Sequence, residues 1–324
     1  MNHFRNVLDA HKLSTTRKKL SLKKLKNIQQ KFSCDEFLKE KKQVCIFTAG
    51  SFGRLDSGEK SDLDIFVTAD GDNDVCRLEE IELFASILRI NKELDFPPLS
   101  NDGEYLKVFH VEKNKNRIGS PIDDKENWFT TRMLLLLESN YLHQQDAYNR
   151  HIHEVLNVYF RDAKEGHKPF KPLYLLNDIL RFWRTLCLNY EQARHDTNRL
   201  WKKRNFNLRF SRMLTVFGTI LPLILDQQIS QIRFEQLTSL SPLERFVDGL
   251  DLLSEDTSSL RDRFGDFLDY YENFLEIKET QDFEKLTSEV RESLHSQSSF
   301  FSEFIFDALT HQSVPKEFKR YLVI

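Results

Sequence analysis

The pattern of apolar and polar positions changes character near residue 120. Before that point, short apolar runs alternate with turns. Val44–Thr48 (VCIFT), followed by Ala-Gly-Ser, has the pattern of a buried strand. Leu63–Thr68 (LDIFVT) predicts a second strand, and Asp70-Gly71-Asp72-Asn73-Asp74 a turn after it. Over Val75–Asn91, Leu78, Ile81, Leu83, Phe84, Ile87, Leu88 and Ile90 recur at helical spacing. Phe96-Pro97-Pro98 and Asn101-Asp102-Gly103 punctuate the chain, and Glu104–Val111 (EYLKVFHV), rich in β formers, predicts a third strand. From Trp128 onward helical patterns dominate, over 128–139, 145–162, 173–195, 206–225, 243–253, 258–278, 282–297 and 299–311. The expected class is α+β. A small sheet domain with an N-terminal basic helix covers 1–124, and a mostly α-helical domain covers 125–324, with the break near Gly119-Ser120-Pro121.

The length of 324 residues agrees with two domains. At 40% hydrophobic and 30% charged residues, the chain supports packed cores and is not a disordered polymer. Scarce glycine (10) and proline (8) exclude collagen-like and linker-like chains, and 27 phenylalanines point to aromatic helical cores. A net charge of −3 does not mark a nucleic-acid binder.

Residues 10–34 depart from that balance. They carry Lys12, Arg17, Lys18, Lys19, Lys23, Lys24, Lys26 and Lys31 and no acid, with Leu13, Leu20, Leu22, Leu25 and Ile28 at loosely helical spacing. This reads as an amphipathic basic helix, whose cations are either a solvated face or a contact surface for phosphate.

Cys34, Cys45, Cys76 and Cys187 are widely spaced and form no CxxC pair, which indicates neither a zinc site nor a redox dithiol. Reduced thiols in a cytoplasm are the plain reading. The first residues, MNHFRNVLDAHK, lack the apolar core of a signal peptide. The longest mostly apolar run, Leu214–Leu225, is too short to span a bilayer and contains Pro222. A soluble cytoplasmic protein with no membrane partner is expected.

One stretch carries most of the chemistry: Ala49-Gly50-Ser51-Phe52-Gly53-Arg54, then, after six residues, Ser61-Asp62-Leu63-Asp64. Glycine lets backbone approach a ligand closely at positive φ. A Gly-Ser turn between strand and helix presents N–H groups and a hydroxyl to phosphate oxygens. Asp62 and Asp64, two apart on an expected strand, place both carboxylates on one face, about 7 Å apart. Paired acids are costly unless a cation neutralises them, and hard oxygen ligands suit Mg²⁺ or Mn²⁺ in a two-metal site.

Gly-Ser joined to Asp-x-Asp between two apolar strands resembles the signature of the DNA polymerase β-type nucleotidyltransferase superfamily, here over residues 43–70. The resemblance implies a mixed-sheet nucleotidyltransferase domain. It implies that Gly50 and Ser51 bind the triphosphate of an incoming nucleotide and that Asp62 and Asp64 ligate two metal ions. It also implies attack by an acceptor hydroxyl on the α-phosphate, with pyrophosphate leaving. The family's third carboxylate has no clean match; Glu104, opening the third expected strand beside that of Asp62, is preferred over Asp95. The stretch from Gly119 to Leu214 is similar to the helical portion of bacterial nucleotidyltransferases.

Other residues leave two readings open. Arg54 faces phosphate or pairs with Asp56 or Glu59, and Lys60 reads as a surface lysine. Asn177, Arg181 and Arg184 share one helix face, which either closes over the nucleotide or makes interhelical salt bridges. Lys202, Lys203, Arg204, Arg209 and Arg212, interleaved with Phe206 and Phe210, suit a polynucleotide acceptor or a solvated helix start. His151 and His153 are structural or exposed, and Phe300, Phe301, Phe304 and Phe306 are core or an oligomer contact.

The function expected first is transfer of a nucleoside monophosphate from an NTP or dNTP to an acceptor hydroxyl. The acceptor is a protein side chain, a small molecule, a tRNA end or a growing oligonucleotide. Some relatives in that superfamily act in bacterial antiphage defence or as toxins. The alternatives are a nucleotide-sensing module with weak turnover, a template-independent oligonucleotide polymerase, and an RNA- or DNA-binding protein using the basic helix.

Overall fold

The computed structural model describes residues 3–71, 75–99, 103, 105–165, 170–192, 194 and 201–323. Two compact units are built from interleaved segments. One comprises Arg17–Gly166 and Ser230–Ser239; the other comprises Met1–Thr16, His167–Ile229 and Leu240–Ile324.

The chain opens with α1 (His3–Ala10), part of the helical unit. The expected basic helix over 10–34 is a π-helical stretch, Leu13–Lys18, followed by α2 (Lys19–Cys34). The sheet-bearing unit continues with α3 (Glu36–Lys39), β1 (Val44–Thr48), α4 (Gly50–Arg54), β2 (Ile65–Ala69), α5 (Arg77–Glu93) and β3 (Val108–His110). Then come α6 (Val111–Lys115), α7 (Pro121–Lys125), α8 (Trp128–Leu137), β4 (Asn140–His143) and α9 (Gln145–Tyr159).

The four strands form one mixed sheet in the order β3-β2-β1-β4. β1 is antiparallel to β2, with Val44 opposite Ala69 and Thr48 opposite Ile65, and antiparallel to β4. β3 is parallel to β2, with Val67 opposite Val108. The parallel neighbour expected for the Asp62 strand is present but shorter, beginning at Val108 rather than 104. Glu104, and Asp72 to Asp74 of the expected turn, lie outside the described residues.

The period of two along the strands assigns their faces. Val44, Ile46, Leu63, Ile65, Val67 and Ala69 join Leu25, Ile28 and Phe32 of α2 and Leu83, Ile87 and Ile90 of α5 in one buried cluster. Each such side chain contributes about 1.5–3 kcal/mol by leaving water. On the other face Phe47 stacks on Phe66 at 5.4 Å and meets Tyr148 of α9. Thr68 Oγ1 lies 2.7 Å from His151 Nδ1, also on α9. Arg132 of α8 is fully buried, paired bidentately with Asp123 of α7 and donating to the Tyr159 hydroxyl.

The units do not divide at 124/125. β4 pairs with β1, and α8 and α9 pack within the sheet-bearing unit, so it runs on past the expected break. α13 (Gln231–Thr238) joins the same unit against α9.

The helical unit holds α10 (Leu173–Gln192), α11 (Trp201–Asn207), a π-helical stretch Leu208–Arg212, α12 (Met213–Leu225), α14 (Pro242–Asp251), α15 (Ser258–Thr280), α16 (Ser288–Thr310) and α17 (Lys316–Val323). The helices expected over 282–297 and 299–311 are one, α16, because Ser296–Ser299 contains no helix breaker and Ser298 is buried. Phe267 stacks on Phe301 and Phe304 at 4.3 and 4.5 Å, and Phe210 on Phe274 at 4.6 Å. Phe301 and Phe304 are therefore core, whereas Phe306 is exposed. One continuous helical run among the described residues, Lys202–Leu225, is long and apolar enough to cross a membrane. It is longer than the apolar run expected from the sequence, but 67% of its apolar window is buried inside the structure, as in a core helix.

Candidate functional site

β1 ends at Thr48, and Ala49 N–H bonds the Asp64 carbonyl at 2.9 Å, extending the β1–β2 ladder by one pair. The chain must then turn sharply into α4. Gly50 makes that turn at φ +65°, a left-handed conformation that costs other residues about 1–2 kcal/mol. The turn brings backbone against the Asp64 carboxylate so closely that a Cβ on Gly50 would lie 2.4 Å from Oδ2. Ser51 follows on the first turn of α4, where helical N–H groups have no intrahelical acceptor. Gly50, Ser51 and Asp64, expected to cooperate, are thus brought together.

Asp62 and Asp64 lie in the extended run just before β2 rather than within a strand. Burial still alternates: Leu63 and Ile65 are buried, Asp64 is half-buried and Asp62 is exposed. Both aspartates therefore share the parity of Phe66 and Thr68, as their spacing requires. Asp64 lines a shallow cleft with Leu99, Gly103, Tyr105 and Leu106.

Asp95 instead lines a second, larger cleft of about 480 Å³ with Lys24, Asn27, Lys60, Ser61 and Phe96. Asp62 follows Ser61 directly, so the chain passes from this cleft to Asp64 within three residues.

Among the described residues no three His, Cys, Asp or Glu side chains gather as a metal site. Two aspartates two residues apart nevertheless suit Mg²⁺ or Mn²⁺, which take one or two protein carboxylates and complete their shell with water and substrate phosphate. The space a side chain on Gly50 would need is already taken by the Asp64 carboxylate, so the backbone of the turn and the acid lie directly against each other.

Arg54 departs from the expected phosphate role. It is only 6% exposed; Nε donates to Asp56 Oδ2 at 2.9 Å and Nη1 to Glu138 Oε2 at 2.9 Å. Of its two readings, pairing with Asp56 is the one observed. The group ties α4 to the C-terminal end of α8. Asn140 reinforces the tie by donating to the Phe52 and Gly53 carbonyls, and a Cβ on Gly53 would collide with the Glu138 carbonyl at 1.9 Å. Glu138 and Asn140 escape sequence reasoning; the only local signal is the polar break after the leucine run at 134–137.

Arg181 and Arg184 belong to α10 of the helical unit. Arg181 contacts Asp178 one turn back at 3.5 Å, and Arg184 is exposed, as are Asn177 and Leu188. This contact lies within one helix. Phe206 and Phe210 are buried, Lys202 pairs with Glu284 and Arg209 donates to Ser298, so this cluster is part of the helical packing and offers no stacking platform.

His151 is buried between Thr68 and Asp70, with Nε2 3.0 Å from Asp70 Oδ1. Burial holds it below the ordinary histidine value although Asp70 pulls upward. His153 is exposed and meets Glu235. Burial also pushes the Cys45 thiol far up, which makes it inert. A scan against protein-family models finds no match, and a search of curated proteins finds none.

Proposed function

We propose that the sheet-bearing unit is a divalent-metal-dependent nucleotidyltransferase. The observation that carries this reading is the contact between the Gly50 backbone and the Asp64 carboxylate, which places a phosphate-type turn beside a cation-type acid. Asp62 and Asp64 would hold Mg²⁺ or Mn²⁺, and Glu104 remains the candidate third carboxylate. When bound, the cation supplies positive charge against the triphosphate oxygens.

The Gly50–Ser51 turn donates N–H groups and a hydroxyl to those oxygens and orients the nucleotide. An acceptor hydroxyl oxygen bonds to the α-phosphorus as the bond to the bridging oxygen breaks. Pyrophosphate leaves with that electron pair, and the hydroxyl proton passes to solvent. Arg54, Arg181 and Arg184 have no part in this reading. The four cysteines are unbridged, which supports a reducing, cytoplasmic compartment.

The test is incubation of the full chain with Mg²⁺ and each of ATP, dATP, GTP, CTP and UTP, with products weighed by mass spectrometry, including the protein itself. Pyrophosphate release that EDTA abolishes is the expected result. A nucleotide-dependent rise in melting temperature without pyrophosphate would instead identify a sensing module.

A further inference from the structure

We infer that α2 and the cleft beside it bind the sugar-phosphate backbone of a single-stranded nucleic acid, which makes a polynucleotide end the acceptor; this rests on the nucleotidyltransferase reading above. α2 turns Ser21, Leu25, Ile28 and Phe32 into the core. Its opposite side carries Lys19, Lys23 and Lys26, all exposed and spaced at i, i+4 and i+7, hence in one line. None of the three enters an ion pair among the described residues.

The line extends about 10 Å. That is about three phosphates at the axial spacing of one nucleic-acid strand. No acid interrupts residues 10–34. Lys31, beyond the line, is matched by Glu93 at 3.6 Å.

The line borders the larger cleft. Asn27, one turn on from Lys23, lines it together with Lys24, Lys60 and Ser61. The cleft contains two carboxylates, and that of Glu59 is held by Lys24 at 3.0 Å. Its volume of about 480 Å³ suits a nucleoside, and its Ser61 end adjoins Asp62.

An anionic membrane is the weaker occupant, because the apolar face of α2 that would enter a bilayer is already buried in the core. An acidic protein would satisfy the lysines but would not use a nucleoside-sized cleft running to the paired aspartates.

The experiment is fluorescence anisotropy of the full chain with a labelled oligoadenylate about 20 nucleotides long. It is read across about 50–200 mM salt. Wild type should bind, and K19E/K23E/K26E should weaken binding by at least about tenfold. The neutral variant K19Q/K23Q/K26Q should lower the slope of log affinity against log salt by about two, since each lost phosphate contact removes about 0.7 on single strands. Circular dichroism controls for folding. Unchanged affinity in both variants overturns the inference, as does capture by phosphatidylserine vesicles or polyglutamate without capture of the oligonucleotide. Pyrophosphate release without oligonucleotide binding would remove this surface and leave the catalytic reading. Lysine-dependent binding without pyrophosphate would do the reverse.

Discussion

Gly50 is the residue on which the site turns, since its missing side chain is what lets the Gly-Ser backbone reach Asp64. A Gly50→Ala variant meets two penalties, a left-handed φ and a collision with Oδ2. Gly71, exposed at φ +77°, is the comparison, because alanine there meets the same conformational penalty away from Asp64. Gly71→Ala should lose about 1–2 kcal/mol in urea unfolding, and Gly50→Ala more. Only Gly50→Ala should lower pyrophosphate release, by at least about tenfold. Equal turnover in the two would remove Gly50 from the site. The approach of Gly50 to Asp64 was legible in the sequence because both lie within one short segment joining β1 to β2. The Arg54–Asp56 pair was one of the two sequence readings, whereas the pair with Glu138 was not legible, because Glu138 is 84 residues away and only the fold brings it near.

At the scale of elements, the Arg54–Asp56–Glu138 group fastens α4, and so the Gly-Ser turn, to the end of α8. All three side chains are nearly inaccessible, so solvent screens their interaction little. Arg54→Met removes the cation both carboxylates share and should cost about 3–5 kcal/mol in urea unfolding. Glu138→Gln keeps the Arg54–Asp56 pair and should cost only about 1–3 kcal/mol. The reverse order would contradict the strut. β1, β2, α5 and most long helices follow their hydrophobic periods. β4 was missed because Asn140–His143 is too short to show alternation, and its partner β1 lies about a hundred residues earlier. α13 was missed because its buried residues, Phe234, Leu237 and Thr238, span barely one turn.

Across the whole molecule, the expected single boundary gives way to two units with interleaved segments, and only long-range contacts define that division. The sheet-bearing unit also sets an acid limit on stability. Burial lowers His151 and His143 below the ordinary value of 6.5; Asp70 and Arg150 bear on the first, as does Glu154, and Leu38 and Asp35 on the second. Below pH 6.5 the unfolded chain binds protons that the folded chain refuses. Stability is therefore full above that value and falls as pH drops, by up to about 1.4 kcal/mol per pH unit for each histidine. Asp70, brought below 3.8 by Arg150 and His151 against the opposing pull of burial, adds its loss only at lower pH. Urea unfolding across this range should show the decline, and His151→Gln should make it shallower; an unchanged slope would contradict the assignment. The most direct measurement of the central claim compares wild type with Asp62→Asn/Asp64→Asn in Mg²⁺-dependent release of pyrophosphate. A loss of at least about 100-fold, with the melting curve retained, is the result the site requires. Equal release by the two proteins would place the chemistry elsewhere.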